Sequence, residues 1–132
     1  MSTDGLEAVA IEPDRFSKYA YSPAIAIGNL LFVAGQSSVD DQGKTVGTGD
    51  FEAQGQQTFA NLDRVLQAGG SSLADVAKVT VFLTDMSRLP ELVTLRRRYF
   101  SEPFPADSVV EVTALSRPEL MIEIEAIALR RV

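Results

Sequence analysis

The side chains able to do chemistry in this sequence are few, and they gather in its last third. In 121-MIEIEAIAL-129 two carboxylates, Glu123 and Glu125, stand two positions apart. On a β-strand that spacing puts both on one face, about 7 Å apart. If a partner buries that face, a carboxylate there must be paired, hydrogen-bonded or protonated. A raised pKa would suit a general acid or a residue that positions water. The plainer alternatives are a solvated strand edge, or pairing with an arginine from a neighbouring element. Asp107 stands alone where the Pro-rich start of 103-PFPADSVVEV-112 turns into a β-branched run. An acid at such a place often makes only a local turn hydrogen bond. Lys78 is a Schiff-base candidate in principle and an exposed strand lysine in the simpler reading. Tyr19 and Tyr21, just before Ser22-Pro23, read as packing residues.

The absences narrow the chemistry further. The 132-residue chain has no Cys, no His and no Trp. Disulfides, thiolate nucleophiles, Ser-His-Asp triads and zinc sites built on Cys or His are therefore excluded. Carboxylates, Tyr and Ser hydroxyls, Lys, Arg and backbone amides remain. An enzyme made from these would use a carboxylate as acid, base or water-positioner. No acidic loop of the calcium-binding kind is present, and no metal is expected. The net charge is −6, which leaves no basic footprint for nucleic acid, and Arg96-Arg97-Arg98 reads as a solvated helix face. No apolar run approaches the ~20 residues needed to cross a bilayer. The acidic N-terminus lacks the apolar core of a signal peptide, so a cytoplasmic location is expected.

The elements that must position these residues can be read from periodicity. Residues 24-AIAIGNLLFVAGQSS-38 form two apolar runs around Gly28-Asn29, the pattern of a tight hairpin. A polar turn, 40-DDQGK-44, leads to a short run through Val46. Residues 50–69 read as a helix, with Asp50 as N-cap, Gly69-Gly70 as stop, and Gly55 on the apolar side where it could let the helix approach a sheet. The run 76-VAKVTVFLT-84 alternates as a strand. A second helix is expected over about 87–100, capped by Ser87, with Pro90 in its first turn. Strands over about 108–115 and 121–129 close the chain. Residues 1–20 are expected to be irregular and 21–132 to form a single domain. The order, ββ(β)αβαββ, fits an α+β domain, a mixed sheet with two helices on one face. In 121–129, Ile122, Ile124, Ala126 and Ala128 point one way; Met121, Glu123, Glu125, Ile127 and Leu129 point the other. Both faces are largely apolar, so the uncovered one is expected to meet another copy of the chain.

Taken together, 21-YSPAIAIGNLLFVAGQ-36, the Gly43 turn, the helix ending at Gly69-Gly70, 78-KVTVFLTDM-86 and 121-MIEIEAIA-128 closely resemble the Rid family, the reactive intermediate deaminases also called YjgF. The resemblance implies a chorismate-mutase-like fold and a homotrimer whose small-molecule clefts lie between subunits. It also implies cofactor-independent hydrolysis of enamines and imines to a ketoacid and ammonia. In typical members an arginine at the start of the penultimate strand clamps the substrate carboxylate, a glutamate positions the attacking water, and a tyrosine helps close the cleft.

Carried over by position, Glu123 is the catalytic, water-positioning glutamate, Tyr21 the cleft tyrosine and Gly35 the cleft-lining glycine. The arginine does not carry over. The family pattern Pro-Ala-Arg-Ser is here 105-PADS-108, with Asp107 in the arginine's place, and Val93 stands where Asn is common. Val93, Asp107 and Val109 are counted with Tyr21 and Gly35 as substrate-binding positions. The departures leave three readings. One is a hydrolase whose specificity has moved to a cationic or neutral C=N compound. Another is a non-catalytic trimer that binds small molecules or proteins. The third keeps the usual substrate and replaces the lost arginine with Arg96 or Arg97.

Overall fold

The computed structural model describes residues 5–131. The first four residues of the expected irregular segment, and Val132, lie outside the described residues. The strands are β1 (Leu6–Ala8), β2 (Ala24–Ile27), β3 (Leu30–Ser37), β4 (Val76–Leu83), β5 (Ala106–Glu111) and β6 (Ile122–Leu129); the helices are α1 (Phe51–Ala68) and α2 (Leu89–Tyr99). They form one sheet in the order β1-β2-β3-β6-β4-β5. Every neighbouring pair is antiparallel except β4 and β5, which α2 connects in parallel. The last strand therefore lies in the middle of the sheet, between β3 and β4.

Local chemistry accounts for most boundaries. Gly28 adopts φ 58° in the two-residue β2–β3 turn, a conformation glycine takes without a Cβ clash. The Asp50 side chain accepts the Ala53 N–H at 3.1 Å and caps α1. Pro90 sits in the first turn of α2, where a missing N–H does no harm. Ser87 is not the cap of this helix. Asp85 accepts the Ser87 N–H at 2.9 Å and starts a 3₁₀ turn, Met86–Arg88, from which α2 continues. The expected strand at 108–115 begins two residues earlier and stops at Glu111, and the run through Val46 contributes only an isolated bridge between Val39 and Thr45.

One part of the segment expected to be irregular is ordered as an edge strand. β1 pairs Leu6 with Ile27 and Ala8 with Ile25, and Glu7 is fixed by Arg130 at 3.0 Å. Three residues are too few to show alternation, so pairing and the ion pair define this strand rather than its pattern.

Both helices lie on one face of the sheet. Phe59, Leu62 and Leu66 of α1 and Leu92 and Leu95 of α2 bury against Leu31, Val79, Val81, Leu83, Ile122 and Ile124. Each such fully buried side chain contributes about 1.5–3 kcal/mol by leaving water. The opposite face carries Ile27, Leu30, Phe32 and Val110, all exposed in the chain. Gly55 permits a helix–helix approach rather than the expected helix–sheet one. A β-carbon there would lie 2.5 Å from Cδ1 of Leu95, which is itself 1% exposed and has nowhere to go. Gly55→Val is therefore expected to destabilise the fold by about 1–3 kcal/mol through overpacking. Urea unfolding at fixed protein concentration measures this; an unchanged midpoint would mean α2 can move away freely.

Candidate functional site

Position on β6 decides what Glu123 can do. Ile122 and Ile124 occupy the helix-facing core, so Glu123 points from the opposite face, between Ser37 of β3 and Phe82 of β4. The β3–β6 ladder is irregular just beside it. Val33 pairs with Ala126 and Gln36 with Ile124, so Ala34 and Gly35 together stand opposite Glu125. This bulge brings Gly35 against the Glu123 carboxyl group. A β-carbon at position 35 would lie 2.2 Å from Oε2 of Glu123 and 2.8 Å from its Cδ. A side chain at this point would push the Glu123 carboxyl group out of its place. No hydrogen bond or ion pair engages the Glu123 carboxylate among the described residues. Burial pushes its pKa above the usual glutamate range, and the charge of Glu125 adds to the effect.

Tyr21 reaches the same region. Asp14 accepts the N–H groups of Phe16 and Ser17 and the Ser17 hydroxyl, which shapes the 3₁₀ turn Ser17–Tyr19. Ala20 leaves that turn in the left-handed conformation, φ 65°. The Tyr21 ring then packs edge-on against Phe16, with centroids 5.4 Å apart. Its hydroxyl pKa is raised by burial and by the negative charge of Glu123. Tyr21 and Gly35 line a cavity of about 680 Å³ where β3 leaves the sheet and β6 enters it.

Asp107 lies elsewhere, and it is not a bare acid. It pairs in register with Val79, a core residue, and so faces the helices. Nη2 of Arg96, on α2, donates to its Oδ1 at 2.8 Å, and both side chains are largely covered. Burial raises the Asp107 pKa, while Arg96 and then Lys78 act in the other direction. The local charge is that of an ion pair, contrary to the acidic cleft mouth expected from Asp107 alone. Nε of Arg96 is buried without a hydrogen-bond partner among the described residues. Arg96 and Asp107 line a second cavity, about 240 Å³, with Val93, Arg97, Phe100 and Phe104. Val109, counted as substrate-binding, packs instead against the core beside Val81 and lines neither cavity. Lys78 donates to Ser108 at 2.8 Å on the open sheet face.

The candidate residues therefore fall into two groups. Tyr21, Gly35 and Glu123 form one; Val93, Asp107 and Arg96, one of the two arginines expected as replacements, form the other. Glu123 is level with Phe82, and Asp107 with Val79 one strand further on. Two strand spacings and three residues separate them, about 14 Å, on opposite faces of one sheet. Among the described residues no group of three or more His, Cys, Asp or Glu side chains could hold a metal ion, and no helix is long and apolar enough to cross a membrane.

A mixed sheet with two helices on one face, and on the other a carboxylate that has no partner among the described residues and lies near a tyrosine, defines an α+β protein with a candidate acid–base site. The chain belongs to the Rid/YjgF/RutC family: the family described as Endoribonuclease L-PSP matches residues 13–130. It is 44% identical over 108 residues to a RutC family protein of Pyrococcus horikoshii, covering 82% of this chain and 85% of that one. It is 33% identical to a 2-iminobutanoate/2-iminopropanoate deaminase of Dermatophagoides farinae, covering 81% and 83%. The crystal structure of the yeast protein YEO7 superposes with a TM-score of 0.88 at 35% identity, covering 96% of this chain and all of that one (100%). The family is associated with imine deaminase activity.

The electrostatics make a stability prediction. A carboxyl whose folded pKa lies above its ordinary value of 4.5 favours the protonated fold, so stability falls as pH rises through and above that value. Glu123→Gln is expected to raise the melting temperature by a few degrees at pH 7. The gain should shrink towards zero as pH falls below about 4, where wild-type Glu123 is protonated in both states. Thermal melts of both proteins from pH 4 to 8 measure it; a variant less stable at pH 7 would mean that the carboxylate has a stabilising partner.

Proposed function

We propose that the protein is a cofactor-independent hydrolase of imines or enamines, acting in clefts between the copies of a homotrimer. The observation that carries this reading is the Glu123 carboxylate: desolvated, without a partner among the described residues, and seated against Gly35 beside Tyr21. A carboxylate in that state is suited to hold a water and exchange its proton. Water attacks the C=N carbon, one proton passes by way of Glu123 to the nitrogen, and a carbinolamine forms. Collapse of the carbinolamine expels ammonia and leaves the C=O group. No electrons are exchanged with an outside acceptor. The Tyr21 hydroxyl, whose proton is held tightly, is suited to donate a hydrogen bond to the nitrogen or oxygen at this step.

Association between copies is supported by two features. The sheet face that carries Glu123 also carries Leu30 and Phe32, exposed in one chain. The half-sites lie on opposite faces, so a complete cleft needs the Glu123 half of one copy and the Arg96–Asp107 half of another. In that second half the guanidinium has moved from the strand to α2. Asp107 orients it through Nη2, which leaves further N–H donors of the guanidinium for a carboxylate oxygen. This favours a carboxylate-bearing substrate over a cationic one.

Ammonia release from freshly generated 2-imino acids tests the reading. Glu123→Gln is expected to lower kcat at least ~100-fold with the oligomer intact. Full activity in that variant would contradict the water-positioning role. Gly35→Ala should lower kcat about 10-fold or more, because the new methyl displaces the carboxylate. Arg96→Gln should raise KM about 10-fold or more with kcat within a few-fold of wild type; an unchanged KM would remove Arg96 from recognition.

A further inference from the structure

Six cations have carboxylate partners within the chain: Arg64, Arg88, Arg96, Arg98, Arg130 and Arg131. Of the twelve Lys and Arg residues this leaves Arg15, Lys18, Lys44, Lys78, Arg97 and Arg117 outside the ion pairs found among the described residues. Three of these, Arg15, Lys18 and Arg117, line the same cavity of about 680 Å³ that Tyr21 and Gly35 open onto. In a protein of net charge −6, half of the unpaired positive charge thus converges on one concave site.

The acids nearby are already engaged. Asp41, which lines the cavity, is held by Arg64. Asp40 accepts the backbone N–H groups of Gln42 and Lys44 at 2.9 and 3.0 Å. Two of the three cations are positioned by aromatic rings rather than by anions. The Arg15 guanidinium lies 5.4 Å from the Phe16 ring centroid, and the Lys18 ammonium 5.1 Å from that of Tyr19. Arg117 donates to the Thr45 hydroxyl at 3.0 Å, which fixes its stem and leaves further N–H donors. Asp40 acts on Arg15 at a distance and Glu119 accepts from the Thr45 hydroxyl, but none of the three cations forms an ion pair among the described residues, and a cavity rimmed by such donors lowers the free energy of an anion within it.

We infer that this cavity is a second anion subsite, which binds a carboxylate at the far end of the substrate and makes the protein selective for dianionic imines, those of 2-oxo dicarboxylic acids. The inference rests on the hydrolase reading for the reaction, but not for the binding. In this arrangement the reacting carbon lies between two positive groups, Arg96 of one copy and the Arg15–Lys18–Arg117 rim of another. Glu123 and Tyr21 stand between them. The rim is supplied by the segment before Tyr21 and the loop before β6, so it belongs to the same half-site as Glu123.

Calorimetric titration with two stable products of equal chain length separates the possibilities. The probes are 2-oxoglutarate, which carries the distal carboxylate, and 2-oxopentanoate, which ends in a methyl group. The oligomer is expected to bind 2-oxoglutarate at least ~10-fold more tightly, with the difference shrinking as salt is raised. Arg15→Gln combined with Lys18→Gln is expected to bring the ratio close to one. Equal affinities, no binding of either acid at millimolar concentration, or a preference that survives in the double variant would overturn the subsite. A parallel ammonia assay on the corresponding imines separates the two readings. A binding preference without turnover would retain the subsite and remove the hydrolase; turnover with no preference would do the reverse.

Discussion

The two-residue period of β6 is the constraint on which the rest depends. β6 lies between β3 and β4, and its even-numbered residues Ile122, Ile124, Ala126 and Ala128 are buried under the helices. Once they are in the core, Glu123 and Glu125 have no choice but the other face. A one-residue slip would exchange isoleucines for glutamates in the core and is excluded energetically. The same rule on β5 sends Asp107 and Val109 towards the helices, because they are in register with Val79 and Val81. The sheet therefore divides the polar residues between its two sides, and the proposed cleft between copies is the arrangement that reunites them.

Charge is distributed to match that division. On the helix side, Asp107 and Arg96 satisfy each other in part, and a guanidinium edge is left buried without an acceptor. On the open side, Glu123 is half-buried and has no partner among the described residues, and its burial raises its pKa. Gly35 belongs to the same account, since any side chain there would remove the space the Glu123 carboxyl group occupies.

Much of this was legible in the sequence, for identifiable reasons. The β2–β3 hairpin, α1 with its Asp50 cap, and the alternation of β4 and β6 follow from short-range chemistry that one chain records directly. Glu123, Tyr21 and Gly35 were marked by resemblance and come together. The features that were misread depend on distant pairing. β1 exists through its register with β2 and the Glu7–Arg130 pair, which are 123 residues apart. Asp107 read as a bare acid because its partner lies eleven residues back on a helix, and a one-dimensional pattern does not carry the direction of an arginine side chain. Val109, counted as a binding position, is in register with Val81 and packs beside the core, a placement that only the strand pairing reveals. The rim of Arg15, Lys18 and Arg117 joins residues from both ends of the chain and became visible only with the cavity.

Subunit mixing tests the central claim, that each working site takes Glu123 from one copy and Arg96 from another. Glu123→Gln and Arg96→Gln chains would be purified separately, unfolded, mixed in equal amounts and refolded together. Ammonia release would be measured at 2-imino acid concentrations far below KM. If the halves come from different copies, random assembly restores both wild-type groups to about one cleft in four, and kcat/KM rises to roughly a quarter of wild type. Activity no greater than the average of the two parents refolded alone would contradict the composite site and place both groups in the service of a single chain.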